Sequence, residues 1–299
     1  MGYDEELVEK IQELKKKRNA FILVHNFQPL SVQDVADFVG GIEGMLREAR
    51  EREEKVLVVA SVYFMAELVA ALTDKTVLIP DPEARCPMVN MLDLDKLREI
   101  KKTRPELKVA AYIKSSPEGI ALSDYCWTYE KALELLGESE DEVLFTPDIH
   151  LGQNLAYQLK RNIPFLGGYC PPHVKILAGN VRELTEAHPN AVVLAHPECR
   201  NEVVKLAHKV LSSEGMVRYV KASRKQEFIV ASELDLVHRL ARENPDKKIY
   251  PASTKAICHN MKLLDPGRIY WSLKDMIHRV RIAEDTSKKV RTVLEKTLK

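Results

Sequence analysis

Three of the five cysteines recur at a nearly constant interval, and that interval limits the architectures open to the chain. Cys86, Cys170 and Cys258 stand 84 and 88 residues apart. Each lies in a short loop after an apolar run: VLIPDPEARCPMVN around Cys86, IPFLGGYCPPH around Cys170 and IYPASTKAICHNMK around Cys258. The period holds elsewhere. His25, Tyr112 and His196 each close an apolar run, at separations of 87 and 84 residues. An interval close to the size of a small domain implies three similar modules, each offering one thiol.

Within each third, short apolar runs alternate with segments of helical period. The runs are 21–24, 36–39, 56–60 and 77–79, then 109–113, 122–126, 143–145 and 163–166, then 192–195, 209–211, 228–231 and 248–250. Strands alternating with helices mean parallel sheets joined by right-handed crossovers. The expected fold is therefore α/β, with three similar three-layer α/β/α modules around a pseudo-threefold axis. The boundaries expected are 1–90, 91–175 and 176–262, followed by a C-terminal helical tail, 263–299, packing across the modules. Ligands of parallel sheets bind beyond the carboxyl ends of strands, so an active site at the centre is expected. The residues at those ends are His25, Tyr112 with Lys114, Asp148, His196 with Glu198, Ser212 and Ser213, and Ser232 with Glu233.

Charge narrows the function. With 45 basic and 44 acidic residues the net charge is +1, which favours neither a nucleic-acid nor a membrane-surface partner and leaves small-molecule chemistry. No run of 18 apolar residues and no signal-peptide pattern occurs, so a cytoplasmic protein is expected. Five cysteines in such a chain point to metal binding, catalysis or burial rather than disulfides.

Three thiolates from distant loops suit a zinc ion or three irons of a cubane cluster, and they equally suit ordinary buried thiols. A [4Fe-4S] cluster with three cysteine ligands keeps one open iron able to act as a Lewis acid on a substrate hydroxyl or carboxylate. Cys126 and Cys199 break the period and read as core residues. Among the histidines, His25, His173 and His196 sit at equivalent loop positions, whereas His188, His208, His238, His259 and His278 read as surface or core groups. Glu198, two residues beyond His196, suits general acid/base work.

These residues resemble the quinolinate synthase family over nearly the whole chain. The matching segments are HNFQ at 25–28 with QDVADFVG at 33–40, FMAEL at 64–68, Cys86-Pro87-Met88 before Asn90, and Pro147-Asp148. They continue with Cys170 and His173, His196-Pro197-Glu198-Cys199, and Cys258 before Asn260-Met261-Lys262. The resemblance implies a pseudo-threefold α/β fold and a [4Fe-4S] cluster on Cys86, Cys170 and Cys258. It also implies condensation of iminoaspartate with dihydroxyacetone phosphate, with loss of phosphate and two waters, to make quinolinate for NAD biosynthesis. The implied partner is the aspartate oxidase or aspartate dehydrogenase that supplies iminoaspartate. The implied catalytic residues are Glu198 as base, Tyr112 as proton donor, and His196 and His25 at the substrate's carboxylate and hydroxyl groups. The implied substrate-binding residues are His25, His173, Ser212 and Ser213, and Lys114 is a further substrate-binding candidate read from this chain itself.

The chain also departs from that family. Phe27 replaces a tyrosine, Lys114 an asparagine, and Ile42 and Tyr129 stand where small hydroxyls hold the substrate phosphate; Ser212-Ser213 is retained. Three readings remain open: a synthase whose phosphate charge is met by Lys114, Arg47 or Lys131, a paralogue acting on another polar acid, and an iron–sulfur sensor or binding protein. In the paralogue, Lys114 would bind a carboxylate or form an imine.

Overall fold

The computed structural model describes residues 5–138 and 142–298. Among them are eleven strands. β1 (Ala20–His25), β2 (Phe38–Gly40), β3 (Val56–Ala60) and β4 (Thr76–Leu78) form a first parallel sheet in the order β2-β1-β3-β4. β5 (Lys108–Tyr112), β6 (Tyr125–Trp127) and β7 (Val143–Thr146) form a second, β6-β5-β7. β8 (Val192–Ala195), β9 (Lys209–Val210), β10 (Glu227–Ala231) and β11 (Lys248–Pro251) form a third, β11-β10-β8-β9. The first strand of each set lies between its second and third strands, so the repeat seen in the cysteines is also a repeat of topology.

The second sheet is one strand short. The apolar run 163–166 makes only an isolated parallel bridge, Phe165 to Phe145, with another from Gly168 to Asp148. Pro164 has no N–H to donate, and Gly167 at φ +145° turns the chain out of strand geometry.

Central strands are buried along their length, β1, β3 and β8 without an exposed position, because helices cover both faces of a parallel sheet. Their Val, Leu and Ile residues accordingly form continuous runs. Ile11, Ile22, Val24, Val58 and Leu273 share one core with the first sheet, and Val181, Val193, Val203 and Ile229 share another with the third.

The chain forms two compact units. One holds residues 1–86, 113–121 and 259–299; the other holds 87–112 and 122–258. In the first, the helix Glu5–Arg18 packs against Pro266–Asp275, and Glu284–Thr297 packs against Tyr63–Leu72 and Pro117–Ala121. The tail beyond 263 is thus helical in two pieces, interrupted where Met276 and His278 adopt positive φ. The second unit contains the second and third sheets. No helix among the described residues is long and apolar enough to cross a membrane.

Candidate active site

The strand ends beside the topological switch of each sheet carry the polar groups. In the second unit these are Tyr112 at the end of β5, His196 after β8 and Ser232-Glu233 after β10.

The Cys170 loop is shaped by its glycines and prolines. Gly167 runs so close to the preceding turn that a Cβ there would lie 1.9 Å from the Pro147 carbonyl oxygen. Gly168 then donates to Pro147 O at 2.8 Å, and Ile149 N donates to Gly168 O at 2.9 Å. Pro171 occupies the first position of the short helix Pro171–Val174, where its missing N–H costs nothing, which leaves Cys170 at the cap. One turn on, His173 folds back over that cap, with Nδ1 3.1 Å from Cys170 Sγ.

His173 Nδ1 is also 3.2 Å from Glu198 Oε2, and Nε2 is 3.4 Å from Ser232 Oγ. A proton on Nδ1 serves the sulfur and the carboxylate together, and Nε2 then accepts from the Ser232 hydroxyl. His196 takes the other tautomer, because its Nδ1 accepts from the Glu198 backbone N–H at 3.2 Å, which puts the proton on Nε2. The two rings stack at 4.1 Å between centroids and 15° between planes. The 3.8 Å between His196 Nδ1 and Glu198 Oε2 is therefore proximity without a shared proton.

Glu198 and both histidines are buried. Burial first, then the Glu198 charge, drives the Tyr112 hydroxyl far above its usual range; it is hydrogen-bonded to that carboxylate and keeps its proton at neutral pH. The result is a relay of neighbours: Cys170 sulfur, His173 ring, Glu198 carboxylate, Tyr112 hydroxyl. The ligand atoms of Cys170, His173 and Glu198 lie within 4.8 Å of one another, a set able to hold a metal ion.

The turn bearing Glu198 is held from behind by a residue the sequence did not single out. Asn154, buried within the helix Ile149–Leu159, donates 2.8 Å bonds to both the Pro197 and Cys199 carbonyls. Its only sequence signal is a polar residue on the apolar face of a helix.

The cysteines divide by environment. Cys126 and Cys199 are buried, while Cys86, Cys170 and Cys258 are partly accessible. Burial, with the Glu198 charge adding to it, pushes the Cys199 thiol far up, and its sulfur donates to Ala231 O at 3.4 Å, as a neutral thiol does. Of the three accessible thiols, Cys170 and Cys258 belong to the second unit and Cys86 to the first.

His25 and Lys114 both belong to the first unit. His25 Nδ1 accepts from Phe27 N at 3.1 Å, the same residue-plus-two pattern as His196, so the repeat extends to the ring tautomer. Phe27 meets the His25 ring edge-on at 4.7 Å, and the buried Lys114 ammonium lies 5.6 Å from the Phe27 ring centre. Lys262 Nζ donates to Phe27 O at 2.5 Å, and Gln28 Nε2 to Met261 Sδ at 3.2 Å, so residues just after Cys258 steady the His25 turn. Of the basic residues considered for phosphate, Arg47 is tied to Glu43 and the Leu298 carbonyl and Lys131 lies 3.8 Å from Glu134, both half-buried, whereas Lys114 is buried.

Two further residues have structural employment. Tyr129 is a core residue whose hydroxyl exchanges hydrogen bonds with Gln158 and is pushed up to about 12 by burial. Ser212 Oγ caps the helix Ser213–Ala222 by accepting from Gly215 N at 3.2 Å; Ser213 is buried at its first position.

Comparison with known proteins gives the same answer along the whole chain. The family model described as "NadA: Quinolinate synthetase A protein" matches residues 9–299. Quinolinate synthase of Dehalococcoides mccartyi is 40% identical over 299 residues, covering 99% of both chains. Quinolinate synthase 2 of Methanosarcina acetivorans is 38% identical over 297 residues, 99% of this chain and 96% of that one. Quinolinate synthase of Thermus thermophilus is 39% identical over 298 residues, 97% of this chain and 96% of that one.

Proposed function

Because the chain belongs to the quinolinate synthase family, we propose that it condenses iminoaspartate with dihydroxyacetone phosphate to quinolinate, releasing phosphate and two waters. The observation that carries this reading is the buried relay of Cys170, His173, Glu198 and Tyr112. A base and an acid meet there beside a thiol, which simple binding does not require.

Cys86, Cys170 and Cys258 would hold a [4Fe-4S] cluster, supported by their accessibility beside the buried, neutral Cys199. Such a cluster, when bound, supplies a Lewis-acidic iron. Glu198 would remove the proton from the carbon that becomes the nucleophile, and His173 Nδ1–H would stabilise the carboxylate before transfer. Tyr112, held protonated, would donate its hydrogen bond to a developing oxyanion. His196 and His25 each present Nε2–H, a donor matched to substrate carboxylate or hydroxyl oxygens. Lys114 would take the charge of a phosphate or carboxylate, with Ser212 and Ser213 at a helix start as further donors. The enzyme would be cytoplasmic, draw iminoaspartate from an aspartate oxidase or dehydrogenase, and be divided as three modules (1–90, 91–175, 176–262) and a tail.

Buried Lys114 beside Phe27 also favours a second reading, in which the same machinery serves a different polar acid. Anaerobic turnover of the cluster-reconstituted chain with freshly generated iminoaspartate and dihydroxyacetone phosphate separates the two. Cluster-dependent quinolinate, absent from Cys86→Ser, supports the synthase. A full cluster without quinolinate supports the other acid.

A further inference from the structure

The turn after β10 does two jobs with adjacent residues. Ser232 Oγ reaches His173 Nε2 at 3.4 Å, and His173 in turn touches Cys170 Sγ at 3.1 Å. Glu233 is fully buried, and each carboxylate oxygen accepts a backbone N–H. Oε2 takes Asp235 N at 2.8 Å, capping the helix Leu234–Glu243, and Oε1 takes Cys258 N at 3.0 Å. The Cys258 loop is closed on the same helix start by Leu234 N, which donates to Ala256 O at 2.9 Å.

Capping explains one of these oxygens and leaves the other unaccounted for. A serine or aspartate reaching only its own helix would satisfy the cap. Burying a carboxylate is costly, and here its second oxygen is used on a backbone group from a loop 25 residues downstream. We propose that Ser232-Glu233 is the positioning device that sets the Cys170 and Cys258 loops relative to each other, with Glu233 the principal member. Neither residue touches substrate in this role. Ser232 acts through His173 and Glu233 through the Cys258 backbone.

The inference rests on the reading of Cys258 as a cluster ligand, and the test separates the two. Wild type, Glu233→Gln, Glu233→Asp, Cys258→Ser and Asp93→Ala are reconstituted anaerobically as full chains, and iron release to a chelator is timed. Asp93 is the control, because its Oδ1 caps the helix Leu94–Thr103 from Lys96 N at 2.9 Å in the same unit. Glutamine offers one acceptor where two N–H groups point, and aspartate is a methylene short of spanning them. Both Glu233 variants are expected to release iron about 10- to 100-fold faster than wild type, while Asp93→Ala releases at the wild-type rate. In cluster-free protein, Cys258 should be alkylated faster in Glu233→Asp, with Cys86 unchanged. This readout survives if Glu233→Gln fails to fold. Wild-type iron release from the Glu233 variants, with Cys258→Ser poor in iron, overturns the positioning role alone. Equal acceleration in Asp93→Ala reduces Glu233 to an ordinary cap. Full iron in Cys258→Ser removes the premise instead.

Discussion

Glu198 is a carboxylate in a fully buried position with the His173 ring at 3.2 Å and the Tyr112 hydroxyl as a second hydrogen-bond partner. Glutamine there keeps the shape and a carbonyl acceptor for Tyr112 but cannot take a proton. Glu198→Gln is expected to lose about 10²- to 10⁴-fold in turnover, read as quinolinate formed per cluster, with iron content unchanged. A sensor would keep its cluster response in this variant, so the substitution also separates enzyme from sensor. A different carboxylate sets an expected pH dependence of stability. Glu67 is pushed up from 4.5 to about 7, by burial first and the Glu118 charge second, against the opposing Arg85. Between those values the folded chain holds a proton that the unfolded chain has released, so stability falls as pH rises through the window. Because Glu67 remains partly solvated, the effect is about 1 kcal/mol rather than the full linkage value. Glu67→Gln should abolish that slope. Its melting temperature relative to wild type should rise between pH 5 and pH 8, and parallel melting curves would show that Glu67 is not the group responsible.

Elements place these residues through loops rather than through their regular parts. The run 163–166 reads as a strand from its apolar residues, yet the chain that follows it folds back at Gly168 against the Pro147-Asp148 turn just ahead of Cys170, and Gly167 makes that approach possible. Gly167→Ala combines a left-handed-side φ of +145° with a Cβ 1.9 Å from a carbonyl oxygen. A loss of about 3 kcal/mol or more is expected in denaturant titration. Iron content should fall with it, because the displaced loop carries a thiol. The helix Ile149–Leu159 contributes in a different way. Asn154 satisfies two buried carbonyls of the His196–Cys199 turn, each of which would cost roughly 1–3 kcal/mol without a partner. The Glu198 carboxylate thus rests on a turn whose backbone is anchored by a helix of the same compact unit.

At the level of the molecule, the three cysteines proposed as cluster ligands divide between the compact units by membership, Cys86 in one and Cys170 and Cys258 in the other. Iron content after anaerobic reconstitution is the direct measure. Cys86→Ser, Cys170→Ser and Cys258→Ser should each lower it, and Cys126→Ser, at a buried strand position, should not. Equal loss in all four would remove the ligand assignment. The unit boundaries carry a second consequence. Residues 113–121 follow β5 directly but belong with the first unit, so Lys114 shares its surroundings with Phe27 and His25, while Tyr112, two residues earlier, shares its own with Glu198. One short stretch of chain supplies groups to both.

Sequence by itself determined the parallel α/β architecture, the three-part repeat and the separation of Cys86, Cys170 and Cys258 from Cys126 and Cys199. Each of these is written in local pattern: apolar runs such as 56–60 and 192–195 coincide with β3 and β8 because buried strands need a continuous hydrophobic stretch. His25 and His196 were legible for the same reason, as polar residues ending such a run. Only the tertiary structure decided that run 163–166 does not join its sheet and that Tyr129 is a core residue. It alone decided that His173 Nδ1 faces Cys170 and Glu198 while His196 Nδ1 accepts from the Glu198 N–H, that Asn154 braces the Glu198 turn, and that Glu233 reaches Cys258. These depend on hydrogen bonds between groups tens of residues apart in the chain, and such partners leave no period in a sequence, because they are chosen by where the chain returns in space.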